Sequence, residues 1–483
     1  MDISFVTLGI VLLPLCAALG LALAPLRGLA AKRASTAAAA ALLLLAGLSC
    51  LAAPHGGELS WGSTAPWLAT TGSGLALAVD GLNRYALLAL AAVLLLAVSV
   101  EGRFGGAPSR ARLALALTGA GGMALVLTSR DLMVAAAGHG LAGLALAAVL
   151  GLGREAGSGR AGRRFAHWAA SGSLMLAAAA ALYGAGNGST LVHTLAATDV
   201  SYGGLAAALA AAALAMQIPL VPFHTWLVPV CTSGALSGRI LVSGGWCAVG
   251  AFGLLRFWLA LVPAEALAAS SWLVLWAGSS SLWTAMLAIV QPRPGLSPRA
   301  ALAVASTGGL MAAGLFAPGS LQALGAAALA AGIALPRASL LLLALWIEDR
   351  GAGGLRTAWA WLALGLTVAA APGGGALPGW LTLVAGVLPA HPALGWLLIL
   401  SSGVLAVALL DPVVDLARRP ASSGRGALRR VLALVIVTAG VVGLRPEPLL
   451  SGARPIIERM RPGPPAEPGV RAAPAAHGEG IGP

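Results

Sequence analysis

The sequence predicts an all-α polytopic membrane protein with about fourteen transmembrane helices, and its composition and its long apolar runs carry this prediction. Of the 483 residues, 59% are hydrophobic and only 9% are charged, whereas an average soluble domain carries about 25% charged residues. The mean hydropathy is +0.90. Runs of about 20 mainly apolar residues, the length that crosses the hydrocarbon core of a bilayer, follow one another along most of the chain.

Fourteen apolar runs are candidates for transmembrane helices. They are residues 6–26, 35–51, 85–100, 113–127, 132–152, 165–183, 205–221, 235–257, 272–290, 300–316, 321–346, 358–388, 393–410 and 431–442. The first run stands where a secretory signal peptide would, but its apolar stretch is long, and a charged loop and a second run follow directly. It is therefore interpreted as a helix.

The basic residues fall in alternate loops. The net charge of +13 could suggest a nucleic-acid partner, but in so apolar a chain Lys and Arg are better interpreted as determinants of topology, and no nucleic-acid partner is expected. Loops 54–83 and 186–204 contain neither residue type. Because cytoplasmic loops carry the excess of basic residues, the pattern predicts a multi-pass protein of the cell (inner) membrane with both termini on the non-cytoplasmic side. The basic residues that set this orientation are Arg27, Lys32, Arg33, Arg103, Arg110, Arg112, Arg154, Arg160, Arg163, Arg164, Arg293, Arg299, Arg350, Arg356, Arg418, Arg419, Arg425 and Arg429.

Proline and glycine interrupt two of the predicted spans. The seventh contains Pro219 and Pro222, and the long twelfth contains Pro372 and Pro378. Such breaks free backbone groups, so within a bilayer they are tolerated where they are buried in protein or line a cavity. The breaks lie five spans apart, and an odd offset gives the two units opposite orientations, as in the inverted repeats of many transporters. The alternative is that the prolines are packing features of an Ala-rich bundle.

This pattern divides the chain into five parts. They are a three-helix segment (residues 1–112), a first repeat of helices 4–8 (113–258), a second repeat of helices 9–13 (259–411), a cytoplasmic loop with the last helix (412–444), and a tail (445–483). The tail is rich in Pro, Gly, Ala and Arg and has little apolar content, so it is predicted to be disordered. The four cysteines lie in or beside apolar runs without metal-type spacing and are interpreted as packing residues.

Several short segments resemble the antiporter-like membrane subunits of respiratory complex I, within the proton-conducting membrane transporter family. The most specific are PFHTWL at 222–227 and GAFGLLRF at 250–257, whose pairing is most similar to chain M of bacterial NADH-quinone oxidoreductase. The resemblance implies fourteen helices, inverted repeats and discontinuous seventh and twelfth helices. Weaker matches are AVDGLN at 78–83, TSRDL at 128–132, FAHWAASGSLML at 165–176, LLLALWIEDR at 341–350 and GLRPEPLL at 443–450.

The resemblance also implies a relay of titratable residues, which this chain lacks. In the family, a glutamate of the fifth helix, lysines of the seventh and eighth, and a glutamate of the twelfth are thought to relay protons. A charge at mid-bilayer costs about 2.5–3.5 kcal/mol on insertion scales, so a chain no longer selected for ion transfer is expected to lose such groups. The relay positions here are Gly140, Gln217, Ala248 and Trp380, and two family histidines fall near Thr307 and Gly332.

Four polar side chains remain as candidates for an ion path or polar cavity: His139, Gln217, His224 and Arg239. His139 titrates near neutrality and could replace the lost glutamate beside it, although a packed, neutral histidine is the simpler alternative. His224 is expected to satisfy backbone groups at the helix break. Arg239 either snorkels to the cytoplasmic face, the interpretation we prefer, or points into the cavity and excludes cations.

Two further charged residues lie in or next to predicted spans. Arg337, deep in the eleventh span, should have a partner that the sequence does not reveal. Asp131 is expected to cap the start of the fifth helix at the external surface.

Two classes of function remain. The sequence shows no Gly-rich phosphate loop in the right context, no Cys/His metal cluster and no nucleophile–base pair, so no cofactor, metal or redox chemistry of the chain's own is expected. The first class is a membrane-arm subunit of a complex I-like NADH-quinone oxidoreductase, with a structural or coupling role and with other membrane-arm subunits and the lipid bilayer as partners. The second is an independent carrier or a component of a multi-subunit cation/proton antiporter, and the missing relay weighs against an independent carrier.

Overall fold

The computed structural model describes residues 4–52, 59–102, 107–192, 203–262, 270–290, 295–351, 353–371, 376–420 and 447–460. Nearly all of these residues are helical, as expected for a chain rich in Ala and Leu, which have high helix propensity. The helices are α1 (Ser4–Leu23), α2 (Gly28–Ala52), α3 (Arg84–Val100), α4 (Arg110–Thr128), α5 (Leu132–Gly151), α6 (Ser158–Asn187), α7 (Gly203–Gln217), α8 (Leu227–Ser233), α9 (Leu236–Leu261), α10 (Ser271–Val290), α11 (Leu296–Phe316), α12 (Ser320–Arg350), α13 (Leu355–Val368), α14 (Leu377–Ala390), α15 (Pro392–Leu410), α16 (Pro412–Arg418) and α17 (Glu447–Met460).

The helices match the predicted spans closely. Predicted spans one to thirteen each overlap a helix, and the twelfth overlaps both α13 and α14. In the described part of the chain, ten helical stretches are long and apolar enough to cross a membrane, and three shorter ones are apolar. The fourteenth predicted span, residues 431–442, lies outside the described residues. The chain is a multi-pass, mainly helical membrane protein.

Two helices lie at the centre of the bundle. The most apolar windows of α9 and α11 are fully buried inside the protein, whereas α1, α2 and α6 keep about a third or less of theirs buried. The outer helices expose large apolar side chains, such as Leu44 and Leu174, as expected for surfaces that face lipid. The centre around α9 and α11 is therefore the place where polar groups of functional interest would be enclosed.

The helix of the seventh span ends at Gln217, just before Pro219. After a short non-helical stretch, the chain forms a 3₁₀ turn over Phe223–Trp226 and continues as α8. The freed backbone groups find side-chain partners: Ser280 Oγ accepts a hydrogen bond from Val221 N–H at 2.8 Å, and Trp276 Nε1 donates to Val221 O at 2.7 Å. Irregular backbone is tolerated within a bilayer when its N–H and C=O groups have hydrogen-bond partners of this kind.

The chain between α13 and α14 includes the proline-glycine segment of the twelfth span. Helix α13 ends at Val368, and α14 begins at Leu377, with Pro378 in its first turn, where proline is well tolerated. Pro372 and the following residues to 375 lie outside the described residues.

A β-hairpin departs from the all-α prediction. Strands β1 (Leu59–Leu68) and β2 (Ser73–Val79) pair in antiparallel fashion within the loop predicted between the second and third spans. Gly72 closes the turn with φ +60°, and a Cβ added there would lie 1.8 Å from Gly188 O. Only glycine fits this close approach, which packs the hairpin tip against the chain that follows α6.

The predicted disorder of 445–483 is wrong for residues 447–460. They form α17, whose residues Ala453, Ile456 and Ile457 are buried at helical spacing. The helix lies on the turn before α3, where a Cβ added to Gly81 would be 1.7 Å from Gly452 O. The few apolar residues of α17 could not form a core of their own. They are sufficient here because the helix packs on the bundle, whose core is already formed by the other helices. Residues 461–483 lie outside the described residues.

The basic loops converge at one end of the bundle. Arg110 Nη1, after the third span, donates to Ala24 O at the end of the first at 2.6 Å, and Arg112 Nη1 donates to Leu152 O at the end of the fifth at 3.1 Å. Helix α17 and the hairpin lie at the other end, where α3 begins. The predicted topology places loops with and without basic residues at opposite ends of the bundle, and this arrangement is consistent with it.

The orientation of the chain is tested with fusion reporters that are active only in the cytoplasm. A reporter after residue 483 should be silent, and one inserted in the loop at residues 154–157 should be active, because the basic end is predicted to face the cytoplasm. A reporter inserted at residues 54–58, before the hairpin, serves as a second silent control. Activity at the C-terminus together with silence at 154–157 would contradict the predicted orientation.

Candidate functional site

His139 is enclosed in the first repeat and has one firm hydrogen bond. It lies on α5, is 1% exposed, and its Nδ1 is 2.7 Å from Ser173 Oγ of α6. The Ser173 hydroxyl donates its hydrogen to Ala169 O at 2.8 Å, so it can only accept from the ring, and this assigns the hydrogen to Nδ1. Nε2 is then an acceptor, and it has no hydrogen-bond partner among the described residues.

Gln217, the last residue of α7, is held against α9. Its Nε2 donates to Trp246 O at 3.1 Å, where the π-helical turn Leu241–Trp246 widens α9. A Cβ added to Gly250 would be 2.9 Å from Gln217 Cγ, so the two helices are in close contact here. Oε1 of Gln217 has no hydrogen-bond partner in the described part of the chain.

One cavity brings the two predicted side chains together. It has about 0 Å³ of room for a water-sized sphere, so its walls are tightly packed. The Trp246 ring lies 4.6 Å from the His139 ring, and aromatic side chains make up much of the wall. Among these described lining residues His139 is the only titratable one, and Gln217 is a neutral amide. The lining residues are His139, Phe165, Trp168, Ala169, Ala213, Met216, Gln217, Trp226 and Trp246.

Gly140 and Trp380, two further relay positions implied by the resemblance, differ in the space around them. A Cβ added to Gly140 would meet only the Ser173 side chain, with Oγ at 3.6 Å, so this position has room. Trp380 lies on α14 and is partly buried, with Nε1 unpartnered among the described residues. Neither position carries a titratable group.

Ala248 borders a second cavity between α3, α9 and α12. It offers about 10 Å³ to a water-sized sphere, at the limit of what one water molecule requires, and has no polar lining. Because a buried water needs two to four polar partners, this cavity is dry. Its lining residues are Ala86, Ala89, Leu90, Leu127, Gly244, Gly245, Ala248, Val249, Phe252, Ala330, Ala331 and Ala334.

His224 does not perform its predicted role in the described residues. It lies half-buried in the 3₁₀ turn after the break, and its Nδ1 has no hydrogen-bond partner there. Ser280 and Trp276 satisfy the backbone of Val221 instead.

Arg239 reaches the end of the bundle that the snorkelling interpretation predicts, but it is not in water. Its side chain is 3% exposed, its Nη2 pairs with Glu155 Oε2, and its Nε donates to Gly234 O. Glu155 lies in the loop after α5 and is 57% exposed. The guanidinium therefore fills a protein-lined position at the loop, and the cavity-facing alternative does not apply. No motif in the sequence identifies Glu155 as its partner.

The partner sought for Arg337 is a neutral hydroxyl. Nε of Arg337 donates to Thr307 Oγ1 at 2.8 Å, and Nη2 donates to the same oxygen. Thr307 is one of the positions near which the resemblance places a family histidine. A buried arginine of α12 thus lies against that position on α11.

A buried charge cluster was missed by the sequence analysis. Asp80 Oδ2 lies 2.7 Å from Arg256 Nη2 and 2.9 Å from Arg130 Nη2. Burial alone would raise the pKa of the Asp80 carboxyl, but these two guanidinium groups, with N–H donors at Asn83 and Leu82, hold that pKa below its ordinary value. The signal was present, since AVDGLN, TSRDL and GLLRF each contribute one member of the cluster.

The predicted capping by Asp131 is confirmed. Its Oδ1 accepts hydrogen bonds from Met133 N–H at 2.9 Å and Val134 N–H at 3.1 Å, which caps α5. The carboxylate also accepts from Ser73 Oγ at 2.9 Å and Thr190 Oγ1 at 2.7 Å. It is fully buried and ties the hairpin to α5.

The fold and the polar centre define the class of protein. The bundle is that of the antiporter-like membrane subunits found in complex I and in Mrp-type complexes. The family model for NADH:quinone oxidoreductase/Mrp antiporter transmembrane proteins matches residues 129–406. The chain belongs to this family, as the sequence predicted.

Solved structures and curated relatives agree with this assignment. The chain matches a subunit of respiratory complex I from Thermus thermophilus with a TM-score of 0.83 and 26% identity, covering 94% of this chain and 99% of that one. A chain of the Mrp complex from Dietzia sp. gives the same TM-score at 16% identity, covering 95% and 98%, which shows the fold alone. NADH-quinone oxidoreductase subunit M of Rickettsia typhi is 39% identical over 51 residues, which is 11% of this chain and 10% of that relative's length.

Proposed function

We propose that this chain is the chain M-like subunit of the membrane arm of a complex I-like NADH-quinone oxidoreductase, and that it transmits structural coupling without conducting protons. The observation that carries the proposal is the lining of the two central cavities, which among the described residues contains one titratable side chain, His139. The cavity of His139 and Gln217 is tightly packed, and the cavity at Ala248 is lined by apolar residues. Proton transfer needs groups or waters that can take and release a proton along a connected path.

A subunit of an Mrp-type antiporter is the second candidate. It is favoured by the equal TM-score of the Dietzia complex. The higher identity to the Thermus thermophilus complex I subunit, 26% against 16%, favours the first candidate. The missing relay weighs against an independent carrier.

Membership is tested by purifying the tagged chain from its own membrane in mild detergent. Co-purification with flavin-containing and iron–sulfur subunits supports a complex I-like assembly. Recovery with cation/proton antiporter subunits and without redox-active ones would support the second candidate instead. The same preparation tests the proposed location in the cell (inner) membrane.

If the chain does not conduct protons, the polar residues of the first cavity should be dispensable for proton pumping by the host complex. His139→Ala and Gln217→Ala, each checked for normal assembly, should leave the proton-to-electron ratio of the host complex unchanged, because neither residue lies on a conducting path. The measurement is proton uptake per NADH oxidised in inverted membrane vesicles. Ser173→Ala, which removes the partner of His139 Nδ1, is a matched control. A lower ratio for His139→Ala alone would show that protons pass through this histidine.

A further inference from the structure

Arg337 carries a positive charge into the middle of the bundle. It lies 17 residues after the start of α12 and 13 residues before its end, which at 1.5 Å per residue is about 20–25 Å from either end. The side chain is too short to bring its guanidinium to a membrane surface from there. It is 1% exposed, so this arginine does not snorkel.

The groups around the guanidinium are neutral. The Thr307 hydroxyl donates its own hydrogen to Ala303 O at 2.7 Å, so its lone pairs are free to accept from Nε and Nη2 of Arg337. Met311 Sδ lies 4.0 Å from Nη2. Across the described residues, Nη1 has no hydrogen-bond partner and no carboxylate lies within ion-pair distance of Arg337. The charge is held in place but not neutralised.

This charge lies where the two predicted repeats meet. A Cβ added to Gly244 of α9 would be 2.6 Å from Ala334 O of α12, so these helices are in backbone contact one turn before Arg337. Gly308, next to Thr307, lies against the broken seventh span: its added Cβ would be 2.9 Å from Ile218 Cγ2. The guanidinium therefore lies beside the contacts that join α9, α11, α12 and the break in the seventh span.

We propose that Arg337 is a fixed electrostatic barrier that keeps protons and metal cations from crossing the second repeat. A guanidinium stays charged at every physiological pH, and an unneutralised positive charge in a low-dielectric interior raises the energy of a nearby cation. Arginine serves to exclude cations in selective pores in the same way. The barrier rests on the proposed function, since it explains how a chain without a relay stays closed.

The test is the passive collapse of an imposed pH gradient in inverted vesicles that contain the full assembly, with no electron-transfer substrate present. Arg337→Met keeps most of the side-chain length and removes the charge, and it should speed the collapse by roughly one order of magnitude, as expected for a unit charge within about 10 Å at an effective dielectric of about 20. Arg337→Lys keeps the charge and should match the native rate. Arg356→Met, at an exposed arginine, controls for the loss of a basic residue.

Equal rates for Arg337→Met and the native chain overturn the proposal. So does equal acceleration by Arg337→Met and Arg337→Lys, because that pattern reports packing and not charge.

A second pair of variants keeps Arg337 in place, should its replacement prevent assembly. Thr307→Asp puts a carboxylate where the guanidinium already donates two hydrogen bonds and neutralises its field, so the gradient should collapse faster. Thr307→Asn offers a neutral acceptor of the same shape and should leave the rate unchanged. If the Thr307→Asp variant collapses the gradient at the native rate, the proposal that Arg337 is a barrier is wrong. The proposed function is judged by the proton-to-electron ratio and not by this measurement, in which no electron transfer takes place.

Discussion

Asp80→Asn is expected to lower the free energy of unfolding by about 3–5 kcal/mol, the loss typical of breaking a buried ion pair from one side. The asparagine keeps an oxygen that can accept from Leu82 N–H and Asn83 N–H, but it leaves the buried guanidinium of Arg256 and the partly exposed one of Arg130 without their shared carboxylate. The end of the hairpin, the turn between α4 and α5 and the last turns of α9 meet at this carboxylate, so the loss affects several elements together. Thermal unfolding of the purified protein in detergent measures the effect.

The control is Asp349→Asn, which removes a carboxylate from an exposed ion pair. Asp349 and Arg350 are 3.1 Å apart, with side chains 44% and 40% exposed, and such pairs contribute about 0–1 kcal/mol. Equal and small effects of the two variants would show that the Asp80 cluster adds little to stability.

The pH dependence of the same comparison has a definite sign. The pKa of Asp80 is lower in the folded than in the unfolded chain because its charged form is paired. Its contribution to stability is therefore present above the unfolded pKa and is lost as the pH falls through the folded pKa. The stability difference between the native protein and Asp80→Asn should shrink below about pH 4, while other carboxylates affect both proteins alike.

The transmembrane helices could be predicted from sequence because each span is a local property. About 20 apolar residues must be helical in a bilayer, whatever lies beside them. The hairpin could not be found in this way, because the alternation in SGLALAV is short and its pairing partner is set by the turn at Gly72. Helix α17 depends on a surface far along the chain, as the hydrogen bond between Tyr85 Oη and Pro448 O spans 363 residues.

The candidate site was predictable to a similar extent. The sequence named His139 and Gln217 among four candidates for an ion path or polar cavity, and the structure brings both to one cavity. Asp80 and Arg256 lie in segments that carry the resemblance, but no periodicity shows that they pair, because 176 residues separate them. The same holds for Glu155 and Arg239, separated by 84 residues. Side-chain pairing across helices depends on how the bundle packs, and this packing cannot be predicted from composition and spacing alone.

Ala248→Lys is expected to be strongly destabilising, although the family resemblance implies a lysine at this position. A lysine at the centre of a membrane helix costs about 2.5–3.5 kcal/mol on insertion scales, and filling a packed site adds about 1–3 kcal/mol of strain. The cavity at Ala248 offers about 10 Å³ and no hydrogen-bond acceptor from a side chain. The amount of assembled chain in the membrane and its thermal unfolding midpoint in detergent measure the loss.

Two variants separate the charge from the volume. Ala248→Met adds a side chain of similar length without a charge, so its loss should reflect strain alone, and the further loss with lysine should reflect the buried charge. Gly140→Glu places a carboxyl at the other vacated position, where an added Cβ meets only Ser173 at 3.6 Å, and we expect it to be tolerated better than Ala248→Lys. If lysine at 248 were tolerated as well as methionine, water would have to reach this cavity, and a polar path through α9 would persist despite the loss of its titratable groups. A large difference between lysine and methionine instead means that the centre of the chain has closed around alanine, so that restoring the charge alone cannot restore conduction.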